Sequence, residues 1–224
     1  MNQSRAPAGA DNPFSTRHVR PGAIDYHFPA GQDANRLVER LRGNGWRGQI
    51  VGPHGSGKSA LVATIKKSLE RAGQPTLLIE LHDRQRRLPV SSGRLRNLAR
   101  GTVVIVDGYE QLASWRRFVL KRFCRRRGLG LLVTAHRSMG LPDLTRTTTS
   151  RALAERLGAQ LLSQRPSMVA PEEIHHRFRR HRGNLREVLF DLYDLFEMRR
   201  AEPNASNALA AGAARTPKPA DGGT

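Results

Sequence analysis

Cysteine is almost missing from this chain: Cys124 is the only one in 224 residues. No disulfide can form within it, and a reducing compartment is the natural setting. No apolar run approaches the roughly eighteen residues of a membrane-spanning helix, and no charged segment leads into an apolar one. The expectation is therefore a soluble, cytoplasmic chain with no membrane span. Acidic residues are also short: nineteen Asp and Glu stand against thirty-eight Lys and Arg, a formal net charge of +19. Such an excess attracts polyanions such as nucleic acid or an anionic membrane face, and says nothing about fold. The length suffices for one α/β domain with a real core and a small appendage.

What is present is concentrated in one stretch, Gly52-Pro53-His54-Gly55-Ser56-Gly57-Lys58-Ser59. It follows the apolar Ile50-Val51 and opens into Ala60-Leu61-Val62, which reads as a helix. The spacing is that of a phosphate-binding loop, and strand, loop and helix come in the required order. Gly52, Gly55 and Gly57 permit positive φ and close backbone approach, so that N–H groups can turn inward around an anion. The helix N-terminus adds its own unpaired donors and dipole. Lys58 supplies a point charge for the β- and γ-phosphates, and the Ser59 hydroxyl is placed to ligate Mg²⁺. Residues Gly52 through Ala60 are the expected nucleotide contacts.

A second landmark is Thr102-Val103-Val104-Ile105-Val106-Asp107, a β-branched run ending in a carboxylate. Open α/β sheets bind ligands at the carboxyl ends of their strands, so Asp107 is read as the second metal-site residue. Further strands are expected at Gly48–Val51, Thr76–Leu81 and Leu129–Ala135, and a fifth strand or a loop over Asp143–Ser150. Gln111–Arg127 reads as a helix burying Leu112, Trp115, Phe118, Val119 and Phe123 and exposing a wholly basic opposite face. Helical periodicity then predicts Ala152–Leu162, Pro171–His181 and Asn184–Arg199. The chain divides into an extended segment over 1–31 with a short strand at Ala23–Phe28, a core over 32–150, a helical lid over 151–200 and a tail over 201–224. Both ends, by composition, are expected to be disordered.

The phosphate loop, the Val103–Asp107 strand and the strand ending in Thr134 together resemble the AAA-type branch of P-loop ATPases, in which an extra strand lies between the two phosphate-handling strands. The resemblance spans about Ile50 to Arg199. It implies a three-layer α/β core with a mostly parallel five-stranded sheet and a small α-helical lid. Thr134 then takes the place of the family's sensor 1, with His136 as a substitute. Gly183-Asn184-Leu185-Arg186-Glu187 resembles sensor 2, where Arg186 reaches the nucleotide phosphates from the lid. Asn184 with Glu187 is equally a helix cap.

The chain departs from that family directly after Asp107, where Gly108 stands in place of the water-activating glutamate. Glu110 is the expected base, and Glu80 at a neighbouring strand end is the second candidate. The resemblance also implies a homo-oligomer or a partner protein, with Arg137, Arg146 or Arg151 entering a neighbour's site. His54 would then face solvent or that neighbour, and Tyr26 and Phe28 would line the adenine pocket unless they serve core packing. The function so implied is Mg²⁺-dependent hydrolysis of ATP to ADP and phosphate, coupled to core–lid motion. The alternative is a nucleotide-dependent switch with little hydrolysis, and a small-molecule kinase ranks last. The basic surfaces of Gln111–Arg127 and Arg84–Arg100 suit nucleic acid.

Overall fold

The computed structural model describes residues 11–82 and 85–213, with side chains as far as residue 201. Five strands form one sheet: β1 (Arg47–Val51), β2 (Thr76–Glu80), β3 (Val103–Asp107), β4 (Gly130–Ala135) and β5 (Asp143–Arg146). Their order is β2-β3-β4-β1-β5, and every neighbouring pair is parallel. β4 thus lies between β1, which leads into the glycine-rich loop, and β3, which ends in Asp107. The near-continuous apolar composition of β2, β3 and β4 has its reason in two covered faces.

Alternation along the strands assigns the faces. Ile50, Val103, Ile105 and Leu132 pack with helices α2 (Ala34–Gly43) and α3 (Lys58–Arg71) on one side. Val104, Val106, Leu131 and Val133 pack with α4 (Ser92–Arg96) and α5 (Ser114–Arg127) on the other. Asp107 and Thr134 share parity with Ile105 and Leu132, so both strand tips point to the α3 side. Cys124 is fully buried among the α5 contacts, and burial pushes its thiol up to about 11. It is a core residue.

Helix α5 corrects the expected apolar face. Leu120 and Cys124 are its buried residues, while Trp115, Phe118 and Val119 are 59%, 66% and 52% exposed. The helix begins three residues later than the spacing suggested, because Tyr109–Gln111 forms a separate 3-10 turn and places Leu112 in the core before α5 starts. Seven cations interleave with the apolar residues over fourteen positions, so periodicity alone could not select the inward side.

Before the core, α1 (Thr16–Val19) takes part of the segment read as extended. The strand expected at Ala23–Phe28 does not form, and a single bridge joins Pro21 and Ile24. Pro21 has no N–H to give a ladder. This segment ties both halves of the molecule together. Phe14 packs edge-on against Phe196 with centroids 6.3 Å apart, and Asn12 Nδ2 donates to Glu197 Oε1 at 2.8 Å. Tyr26 and Phe28 join the α2–α3 core.

Helices α6 (Arg151–Leu161), α7 (Pro171–Arg180) and α8 (Leu185–Ala213) close on a third apolar cluster including Ala154, Ile174, Val188, Leu192 and Phe196. Two carboxylates tie it: Glu173 meets Arg199 at 2.8 Å through both oxygens, and Asp191 meets Arg177 and His181 at 3.1 and 2.9 Å. α8 also runs on to Ala213, into the stretch read as a tail without regular structure. An established helix extends without a new nucleus, and alanine at 205, 208, 210 and 211 favours propagation. The readings of Met1–Ala10, Arg84 and 214–224 lie outside the described residues. Among the described residues no helix is long and apolar enough to cross a membrane.

Candidate functional site

The loop between β1 and α3 is shaped by what its glycines leave out. Gly55 has φ +67°, and a Cβ there would overlap Asn184 Oδ1, the cap at the entrance to α8. Gly52 needs no positive φ, yet a Cβ on it would stand 2.6 Å from the Thr147 carbonyl oxygen. Side chains at either place would force the loop away from the segment after β5 or from the lid. Ser56 closes the turn: its buried hydroxyl donates to the Pro53 carbonyl at 2.8 Å, leaving Thr147 Oγ1 to donate to it at 2.6 Å. Thr147 is itself held by its N–H on the Val51 carbonyl at 2.8 Å. Sequence reasoning missed Thr147; the signal available was the threonine run directly after β5.

Gly57 precedes α3, so Lys58, Ser59 and Ala60 form its first turn. A helix offers no acceptor within itself for its first N–H groups, and such an end favours an anion. Tyr26 lies against this turn, with Cε2 3.5 Å from where a Gly57 Cβ would be. Phe28 meets Tyr26 edge-on, centroids 4.9 Å apart.

Lys58 brings the charged groups together. Its Nζ donates to the Gly52 and Pro53 carbonyls, both at 2.8 Å, and lies 3.4 Å from His136 Nδ1. Burial holds the Lys58 pKa below the usual lysine value, against the opposing pull of the Glu110 and Asp107 carboxylates. His136, one residue beyond β4, spans the site. Its Nε2 meets Glu110 Oε1 at 2.9 Å, its Nδ1 lies 3.1 Å from the Gly52 carbonyl, and its ring stands 3.6 Å from that of His54. Glu110 Oε2 is buried with no hydrogen-bond partner.

Thr134 lies between loop and carboxylate, as the sequence suggested, but its hydroxyl is committed. It donates to Asp107 Oδ1 and accepts the Gly108 N–H at 2.8 Å. The side chain from this strand that reaches the loop is His136. Glu80 pairs with Asp107 in the β2–β3 register, at the strand tip, and is exposed. Among the described residues no group of three or more His, Cys, Asp or Glu side chains is placed to hold a metal alone. One hydroxyl from Ser59 and one carboxylate from Asp107 suit Mg²⁺, which keeps waters and takes the rest of its shell from phosphates.

Several expected groups stand apart from this cluster. Arg186 is exposed, and its guanidinium lies 5.6 Å over the Phe190 ring, although the neighbouring Asn184 and Leu185 N–H press on Gly55. Arg146 pairs with Asp143 at 2.9 Å and Arg151 with Glu155 at 2.6 Å. Arg137 is exposed beside α5.

No family model matches the chain, and no curated protein does. Solved structures do. A Walker-type ATPase of Pyrococcus abyssi superposes with a TM-score of 0.52 at 12% identity, covering 92% of this chain and 80% of that one. NtrX from Brucella abortus, in complex with ATP, gives 0.52 at 14% identity over 79% of this chain and 54% of that one. A mutant of Thermotoga maritima RuvB gives 0.51 at 14% identity over 71% and 59%. The chain has the AAA-type P-loop ATPase fold. This fold puts the strand of Thr134 and His136 between loop and Asp107, which is why those residues meet. The chain spans about three fifths of the length of the RuvB chain it matches.

Proposed function

We propose that this protein binds ATP with Mg²⁺ and hydrolyses it to ADP and phosphate, coupling the reaction to movement between the α/β core and the helical lid. The observation that carries this reading is the meeting of Lys58, Asp107 and Glu110 at one end of the sheet, beside a glycine loop at the head of α3. The loop N–H groups and Lys58 bind and orient the phosphates, the ammonium exchanging two loop carbonyls for phosphate oxygens. Ser59 and Asp107 would hold Mg²⁺, which when bound neutralises charge across the β- and γ-oxygens. Thr134 fixes the carboxylate of Asp107.

Glu110 is the general base. His136 anchors one of its oxygens, and the buried, unpartnered Oε2 is the one that accepts a proton from the attacking water. Gly108 cannot be replaced by the familiar glutamate here. It has φ +78°, and a Cβ would stand 2.7 Å from the Leu81 carbonyl oxygen, so the carboxylate comes from two residues further on. Asn184 against Gly55 gives the loop a direct mechanical route to the N-terminus of α8, where Arg186 turns toward the phosphates when the lid closes.

Single-turnover hydrolysis tests the assignment. Glu110→Gln should slow the chemical step by roughly 10²–10⁴-fold, the usual worth of a general base, while Glu80→Gln stays near wild type. Equal rates in Glu110→Gln and wild type would remove Glu110 from the mechanism. The missing glutamate at Gly108 favours a second reading, a nucleotide-dependent switch; tight ATP binding without turnover in any condition selects it. The net charge of +19 makes nucleic acid the macromolecular partner of this account.

A further inference from the structure

The outward side of α5 carries three exposed large apolar side chains among its cations. Trp115, Phe118, Val119, Arg122 and Arg126 fall at i, i+3, i+4, i+7 and i+11, one stripe about 17 Å long at 1.5 Å per residue. The first three are more than half exposed. Beside them opens a cavity of about 430 Å³ lined by Phe118, Arg117, Lys121, Arg137 and Ser138.

The cations here lack counter-charge. The helix contains no carboxylate, and none of Arg116, Arg117, Lys121, Arg122 and Arg137 forms an ion pair among the described residues. Arg117 spends its terminal nitrogens on Met139 Sδ and Ser114 Oγ and leaves Nε buried without a partner. Lys121 donates to the Met139 carbonyl. Burial, with Arg47 and Arg117 close by, holds the Lys121 pKa below the usual lysine value. Such crowding of like charge is relieved when an anion arrives.

We infer that the α5 stripe and its flanking cavity bind single-stranded nucleic acid, with bases stacking on Trp115 and Phe118 and phosphates meeting Arg117, Lys121, Arg122 and Arg137. Exposed rings beside a line of cations suit unpaired bases, because every base has a face to stack and a duplex hides it. The Arg116 guanidinium already covers Trp115 at 4.2 Å. A second copy would bring the same seven cations against themselves. The inference sharpens the nucleic-acid part of the proposed function and does not depend on ATP hydrolysis.

The test is fluorescence anisotropy of a labelled oligothymidylate of about 15 nucleotides with the full chain, in low salt and without nucleotide. The matching duplex and phosphatidylserine vesicles run beside it. Single strand should bind more tightly than duplex. Trp115→Ala and Phe118→Ala should each weaken it by roughly 5- to 100-fold, with affinity for a labelled ATP analogue unchanged as evidence of intact folding. Arg122→Ala should flatten the salt dependence by about 0.7 in log–log slope for one phosphate contact. Lys58→Ala should still bind the oligonucleotide, so that failure of the ATPase reading and failure of this one are separable. No binding at low salt overturns the inference. So does wild-type affinity in both ring variants, or capture by vesicles in preference to oligonucleotide.

Discussion

The ammonium of Lys58 has three protons and three neighbours: two loop carbonyls and the ring of His136. Its charged form is nevertheless disfavoured by burial. A lysine whose folded pKa lies below its unfolded value binds fewer protons when folded, so stability rises with pH between the two values. Below both values the charge costs stability in the nucleotide-free protein. Lys58→Met keeps the stem, and the Pro53 carbonyl keeps its Ser56 donor while the Gly52 carbonyl stays 3.1 Å from His136 Nδ1. Its melting temperature without nucleotide should therefore be at or above wild type at pH 7, with the gap narrowing toward about pH 10. A variant that melts well below wild type at pH 7 contradicts this. The loop and Asp107 were legible because their residue types and spacing encode backbone geometry and charge. Thr147, His136 in its spanning place and the Thr134–Asp107 bond were not, because each depends on which strands become neighbours. Glu110 stands in the sequence as one of two candidate carboxylates, and its buried partner-free oxygen is what favours it over the exposed Glu80 in the proposed mechanism.

At the scale of elements, strands read more reliably than helix faces. The apolar runs locate β1 to β4 closely, and the threonine-rich stretch read as a strand or a loop divides into β5 and the loop of Thr147. α5, by contrast, turns its aromatic residues outward against the expectation. A helix with cations at half its positions has no dominant apolar stripe, and the sheet takes the side that fits Leu120 and Cys124. The lid depends on two carboxylates. The Arg199 hydrogen bonds hold the Glu173 carboxyl below its usual range. For Asp191, burial pushes upward, and the His181 and Arg177 contacts outweigh it, so the net shift is down. A depressed folded pKa gives stability that is present above the unfolded value and lost as pH falls through the folded one. Melting temperature should therefore drop between about pH 5 and pH 3, and Asp191→Asn, less stable at neutral pH, should show a shallower drop. An identical pH profile in the variant would remove Asp191 from this role.

For the whole molecule, the arrangement gives the nucleotide loop, the lid and the α5 stripe separate places on one scaffold. The loop lies at the carboxyl ends of the strands on the α3 side, the lid presses on it through Asn184, and the α5 stripe lies across the sheet on the other face. Two short segments join the faces. Tyr109 lines the α5 cavity and Glu110 meets His136, while His136 is followed directly by Arg137 and Ser138 of the same cavity. The α5 cavity is thus one residue along the chain from the proposed base, through Tyr109, and one from its histidine partner, through Arg137.

The most direct measurement is calorimetric titration of ATP with Mg²⁺ into the wild-type chain and into Lys58→Met. The account predicts a saturable heat at one site per chain in the wild type and its loss in the variant. A wild type that gives no heat, or a variant that binds equally well, would contradict it.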